Sequence, residues 1–266
     1  VELIHIHTLG EMPWVEAKYQ GSFRPNSFFL SRRMCEAVEG GWADYTPCAT
    51  FEVPHLFNNG VLPLDVALVQ VSPPDDEGNV SLGLSVDVIS SAIKMARVVV
   101  AQINQNVPRT FGDTQIPLSS LDYIVRHDAE LPNLEAWEYK KHHRKIGEYA
   151  SQLIEDGSTL QVSMGNSPQA VLRALTGHKN LGIHTGCFTD EMMDLVRSGV
   201  VNNSKKAFQR GMSVASHCLG SQELYDFVRD NKEIELHKSE WANDPHRIAK
   251  NKQMVAINGA REIDLT

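Results

Sequence analysis

Short aliphatic and β-branched runs that end in glycine and pass directly into a capped helix recur through the second half of this chain. Leu160-Gln161-Val162-Ser163-Met164-Gly165 reads as a strand running into a glycine. Ser167 then reads as an N-cap and Pro168 as the first helical residue, before Ala170-Val171-Leu172. Leu181-Gly182-Ile183-His184-Thr185-Gly186 repeats the scheme, with Thr189 as the cap and Asp190 and Glu191 in the first turn. Residues 213–220 do so again, followed by Ser221 and a helix over 223–229. Asn243-Asp244-Pro245 offers another cap-plus-proline start. No fixed period links these units, which excludes a solenoid. They are successive β-turn-α units, and such an alternation predicts an α/β fold with a mostly parallel sheet.

The first half continues the alternation. Asp65-Val66-Ala67-Leu68-Val69-Gln70-Val71 reads as a buried strand that ends in the loop 72–78. A helix is expected over 86–96, a strand over 97–103 and a polar loop over 104–113. Residues 128–133 hold a proline and few apolar residues, which places a domain boundary there: 1–133 and 134–266. A longer helix is expected over 135–155, where Tyr139, Ile146, Tyr149, Ala150, Leu153 and Ile154 form an apolar stripe. His142 and His143 within it are adjacent, point in different directions and read as a solvated face. The chain opens on a strand pattern, residues 1–7, and closes on another, residues 262–266, which suggests a fragment.

Composition narrows the function classes. Of 266 residues, 42% are hydrophobic and 22% charged, an ordinary globular mix for two medium α/β domains. The net charge of -8 disfavours non-specific nucleic-acid binding. Cys35, Cys48, Cys187 and Cys218 form no C-x-x-C pair and no metal or disulfide framework, so a reduced, cytoplasmic setting is the default. No apolar run approaches a membrane span. There is no phosphate loop, no dinucleotide fingerprint and no nucleophile elbow.

In open α/β sheets, ligands bind beyond the carboxyl ends of the strands. The turns at Gly165, Gly186 and Gly220 are expected on that edge, where helix N-termini present amides to anions. His184 and Cys187, three apart beside a strand end, could form a nucleophile pair. A buried histidine and a small apolar thiol are the more frequent outcome, and that is the expectation here.

Longer stretches carry a family resemblance. Leu62-Pro63-Leu64-Asp65-Val66-Ala67-Leu68-Val69-Gln70-Val71-Ser72-Pro73-Pro74-Asp75 continues into Asn79-Val80-Ser81-Leu82-Gly83-Leu84-Ser85-Val86-Asp87. Ala101-Gln102-Ile103-Asn104, Pro108-Arg109-Thr110 and Gly112-Asp113 follow. Later come Asp156-Gly157-Ser158-Thr159-Leu160-Gln161, Leu181-Gly182-Ile183-His184-Thr185, Leu224-Tyr225-Asp226-Phe227, Asn243-Asp244-Pro245, Val255-Ala256-Ile257-Asn258 and Asp264-Leu265-Thr266. In this order the chain resembles the acetyl-CoA hydrolase/transferase family, of the acetate and 4-hydroxybutyrate CoA-transferase type.

The resemblance implies two open α/β domains with the active-site cleft between them. It implies coenzyme A or acyl-CoA as substrate, a small carboxylate as second substrate, no metal and a homo-oligomer. It also implies a missing strand-helix unit before Val1 and a missing glycine-rich CoA-binding stretch after Thr266. The family attacks acyl-CoA with a glutamate placed directly after the Gly-Ile-His-Thr stretch. Here that position is Gly186, and Cys187 follows. The family's Gly-x-Gly turn has Ser163 in place of its first glycine and keeps Gly165. By resemblance, Val162, Ser163, Met164 and Gly165 line the cleft from the second domain, Gln102 and Asn104 approach it from the first, and Asn243 lies near the substrate carboxylate or thioester. The expected activity is CoA transfer between carboxylic acids. The alternatives are hydrolysis of acyl-CoA by water directly, or CoA binding without catalysis.

Overall fold

The β-turn-α units of the later half contribute parallel strands to neighbouring sheets. In the computed structural model, which describes residues 1–134, 136–260 and 262–264, strand Thr159–Val162 lies between Gly182–Ile183 and Met254–Ile257, parallel to both. Ser213–Ala215 pairs with Ile234–Leu236, which pairs with Phe111–Gly112, again all parallel. A parallel bridge between His184 and Val214 joins the two sets. Leu160, Ile183, Val214 and Leu236 are fully buried, as parallel strands covered by crossover helices must be. Gly112 is required where Phe111–Gly112 enters this sheet. It has φ +101°, and a β-carbon there would stand 2.3 Å from the Leu236 carbonyl oxygen.

The strands Val66–Val71, Val98–Ile103 and Tyr123–Arg126 form a second parallel sheet, with Val98–Ile103 in the centre. Asn79–Ser81 and Gln115–Pro117 pair antiparallel beside it. These sheets share one core that runs from Ala67 to Leu236. They belong to the larger of two compact units, which begins at Pro54; Val1–Val53 form the other. The boundary expected at 133/134 falls within the larger unit. The smaller unit has a parallel sheet of its own, Glu2–His5, Arg24–Ser27 and Asp44–Tyr45. Met12, Val15, Met34, Ala37 and Ala43 form its core.

Several local expectations are corrected. Strand Val66–Val71 is buried on one face only. Ala67 and Val71 point into the core, while Leu68 is 74% exposed and Tyr123, two strands away in the same register row, is 63% exposed. An all-apolar run cannot tell one covered face from two, because that depends on what packs over it. The helix expected over 135–155 spans Lys141–Ser151. Glu135 lies outside the described residues, and the segment before Lys141 is drawn off into tertiary contacts. Leu134 donates its amide to the Gly220 carbonyl, and the Tyr139 hydroxyl bonds Glu191. At the chain's end, Glu262–Asp264 are exposed and form no strand, since one apolar residue among three gives no face to bury; Leu265 and Thr266 lie outside the described residues. The last strand is Met254–Ile257.

Candidate active site

Strands Thr159–Val162 and Gly182–Ile183 run parallel side by side, so the turns beyond them leave the same edge of the sheet. Thr185 locks the two turns together. Its hydroxyl donates to the Val162 carbonyl at 3.0 Å and accepts the Val162 amide at 3.2 Å. Gln169, fully buried, makes a second clamp: its side-chain amide donates to the Ser163 carbonyl at 3.2 Å and accepts the Thr189 hydroxyl at 2.8 Å. Thr189 is the residue before helix Asp190–Arg197, as expected, but its hydroxyl is spent on Gln169 rather than on a cap bond.

The first of these turns differs from expectation at its cap. The helix spans Asn166–Arg173 and the capping position is Gly165, with φ +135°. Ser167 therefore sits inside the first turn, and Pro168 with it. Proline is tolerated there because first-turn amides have no acceptor within the helix. Ser163, Met164 and Gly165 are half-buried at the strand end, and Val162 is buried.

In the second turn, Gly186 is anchored through its carbonyl oxygen, which accepts from the Ser216 amide at 2.9 Å, the His217 amide at 3.1 Å and the Ser216 hydroxyl at 2.8 Å. A β-carbon built on Gly186 would stand 3.2 Å from Asn243 Oδ1. The structure thus brings together Gly186 and Asn243, two of the residues singled out from sequence. Asn243 follows the short helix Ser239–Ala242 and donates its own amide to the Ser239 carbonyl at 2.9 Å.

His184 holds that helix in place. Its Nε2 donates to the Ala242 carbonyl at 2.8 Å, which leaves Nδ1 to accept from the Asn251 side-chain amide at 3.2 Å. Burial, assisted by the nearby Lys206 charge, pushes the imidazole down to about 4. It is a neutral buried histidine, and it makes no pair with Cys187.

Gln102 and Asn104 stand at and just beyond the end of strand Val98–Ile103. Gln102 donates to the His127 carbonyl at 2.8 Å. Asn104 is fully buried; its side chain donates to Gln70 and to the Ala129 carbonyl, and accepts the amides of Asn106 and Ala129. Both side chains tie the 127–129 segment to the strand end.

The cluster that sequence reading missed lies on the far side of Gly186. Cys187–Phe188 and His217–Cys218 are parallel neighbours with Cys187 opposite His217. Cys187 Sγ faces the Phe188 carbonyl at 3.8 Å and interacts with the His217 imidazole. Burial alone would depress His217, but Cys187 and the Asp87 carboxylate reverse this and push it up to about 9. Burial raises the Asp87 carboxyl, against the pull of His217. The Cys218 thiol is pushed well up by burial, then by Cys187. Thirty residues separate Cys187 from His217 and another hundred separate it from Asp87, so no local spacing flags the group.

Glu191 is also more than a first-turn acid. It is buried, accepts the Tyr139 hydroxyl through Oε1 and leaves Oε2 without a hydrogen-bond partner. Burial raises its carboxyl above the usual range. Among the described residues, no group of three or more His, Cys, Asp or Glu is placed to hold a metal ion. No described helix is long and apolar enough to cross a membrane.

Known proteins resemble this chain in sequence and fold. Residues 2–134 match the acetyl-CoA hydrolase/transferase N-terminal domain, and residues 220–266 match the C-terminal domain. A 4-hydroxybutyrate coenzyme A transferase of Clostridium kluyveri is 42% identical over 265 residues, covering 100% of this chain and 62% of that protein. A succinyl-CoA:acetate/propanoyl-CoA:succinate CoA transferase of Fasciola hepatica is 40% identical over 267 residues, 100% of this chain and 55% of that protein. The chain therefore spans 55% to 62% of the length of these two relatives. Among solved structures, a 4-hydroxybutyrate CoA-transferase from Porphyromonas gingivalis superposes with a TM-score of 0.82 at 39% identity, covering 99% of this chain and 70% of that one. RipA from Yersinia pestis gives 0.84 at 30% identity, covering 88% and 56%. With its mostly parallel α/β sheets, its paired strand-end turns and these matches along its whole length, the chain belongs to the acetyl-CoA hydrolase/transferase family.

Proposed function

We propose that this chain handles short-chain acyl-CoA and moves CoA between small carboxylic acids, by a route that does not pass through a carboxylate at position 186. The observation that carries this reading is the Gly186–Asn243 juxtaposition at the paired strand-end turns. By the resemblance, that turn is where the reacting carbonyl is attacked. The Clostridium kluyveri relative is a transferase for 4-hydroxybutyrate and the Fasciola hepatica relative one for succinyl-CoA, acetate and propanoyl-CoA, which supports a short acyl group here. Glycine has no side-chain atom to form an anhydride, so a glutamyl-CoA intermediate at this position is chemically excluded. What remains is the surrounding polar frame: Asn243 facing the vacant side-chain position, and backbone groups fixed by Ser216, Thr185 and Gln169. Fixed dipoles of this kind can still stabilise developing charge on a thioester oxygen.

A second reading, direct attack by water, needs no side chain at position 186, where glycine supplies none. One experiment separates the two. The protein is titrated calorimetrically with CoA and acetyl-CoA, then incubated with acetyl-CoA and isotopically labelled propionate. CoA binding with label appearing in the thioester pool is the expected result. Loss of thioester to free acid without label moves the assignment to hydrolysis. Absence of CoA binding overturns the proposal.

A further inference from the structure

Cys187 and His217 are register partners on parallel strands, so their side chains leave the sheet on the same face. Three further observations make this pair more than two packed side chains. First, the tautomer of His217 is fixed. The Ser216 hydroxyl gives its one proton to the Gly186 carbonyl at 2.8 Å, so at 3.2 Å it accepts from His217 Nδ1–H. The Nε2 lone pair is left to take a proton. Second, Asp87 stands within electrostatic reach of the imidazole, and its Oδ1 is enclosed without a hydrogen-bond partner. Its backbone has φ +30°, a conformation that a non-glycine residue adopts only when its surroundings hold it there. Val86 and Asp87 both donate their amides to the Ser216 carbonyl at 3.2 Å, so one residue, Ser216, pins the Asp87 loop, the His217 ring and the Gly186 turn together. Third, Cys187 itself is buried, and the turn residue beside it, Gly186, is half-buried and has no side chain.

We propose that Cys187 is a nucleophilic thiol that accepts the acyl group of a thioester, with His217 as its base. This rests on the acyl-CoA reading above and names the group that does the chemistry. The Cys187 proton passes to His217 Nε2 as the sulfur bonds the thioester carbonyl carbon. The carbon–sulfur bond to CoA then breaks, and His217 returns the proton to the departing CoA sulfur. One thioester is exchanged for another, so no oxidant, reductant or further reactant is needed. A pKa pushed up to about 9 lets His217 hold that proton until the CoA sulfur departs. Cys218 is opposite Phe188 in the register and serves as the internal control; burial keeps its thiol protonated.

The test is to mix the protein with acetyl-CoA, quench in acid, and map acyl groups by mass spectrometry. The expected result is one acetyl group on Cys187, removed by neutral hydroxylamine, kept in Cys218→Ser and absent in Cys187→Ser. His217→Gln should slow its formation on the order of 100-fold, the size of a general-base contribution. Iodoacetamide alkylation, which needs no CoA, should label Cys187 about tenfold more slowly in His217→Gln than in the unaltered protein. CoA binding by calorimetry with no acyl group on Cys187, or with one on another residue, overturns this proposal and leaves the functional reading in place. Absence of CoA binding overturns both.

Discussion

Asn243 Oδ1 lies 3.2 Å from the point where a β-carbon on Gly186 would stand, although 57 positions separate the two residues. The Gly186 backbone is outside the left-handed region that favours glycine, so nothing in its conformation demands the missing side chain. Only the Asn243 amide must yield by a few tenths of an ångström.

Gly186→Glu should therefore fold, with a stability cost within about 1 kcal/mol, the range of a substitution that neither strains the backbone nor opens a cavity. The new carboxylate would face Asn243 and should trap a glutamyl thioester when acyl-CoA is added. Borohydride reduction followed by peptide mass mapping reads this out, and urea unfolding reads the stability. Loss of folding, or no adduct at position 186 in a protein that still binds CoA, would refute the geometry.

Gly112→Ala should be far more costly than Gly177→Ala. At Gly112 a β-carbon meets the Leu236 carbonyl oxygen at 2.3 Å and the backbone has φ +101°, whereas at Gly177 nothing lies within 4 Å. The expected losses are roughly 2 to 4 kcal/mol against less than about 0.5 kcal/mol. Paired thermal and urea melts compare them directly; equal stabilities would disprove the close strand contact.

Lys206 is almost fully buried, and its ammonium donates to the Ile183 carbonyl at 2.8 Å and the Met212 carbonyl at 2.6 Å. Lys206→Met strands both carbonyls and should cost roughly 2 to 5 kcal/mol. Burial also pushes the Lys206 pKa down to about 7 from its ordinary 10.5. Between those values the unfolded chain binds more protons than the folded one, so this group makes stability rise with pH across that window. The contribution should vanish from the pH dependence of urea unfolding in Lys206→Met, and an unchanged slope would show that the lysine titrates normally.

His184 acts in the opposite part of the pH range. Its imidazole is pushed down to about 4 in the folded state, against 6.5 when unperturbed, because burial disfavours its charge. Its stabilising share is complete above about pH 6.5 and is lost as the pH falls towards 4, up to about 3 kcal/mol at most. The Ser239–Ala242 helix is held by His184 Nε2 at the Ala242 carbonyl, so amide exchange there should accelerate first on acidification. Uniform exchange across that window would count against the assignment.

What the sequence determined by itself is local. Ser221 caps its helix by accepting the Leu224 amide, and Asp244 caps Pro245–Ile248 through the His246 amide, because these bonds span only a few residues. Strands Val98–Ile103 and Thr159–Val162 and the order of the β-turn-α units were legible for the same reason: apolar pattern and turn chemistry act within a window of ten residues or so. The family, and with it the place of Gly186, was legible from the order of motifs. Tertiary structure alone decided the rest. Which face of Val66–Val71 is covered depends on what packs over it, not on the run itself. Glu191 is buried because Tyr139, 52 positions away, reaches its carboxylate. Above all, Cys187 found His217 rather than His184 because parallel strands bring together residues of matching register, while His184, across the turn at Gly186, is spent on the Ala242 carbonyl.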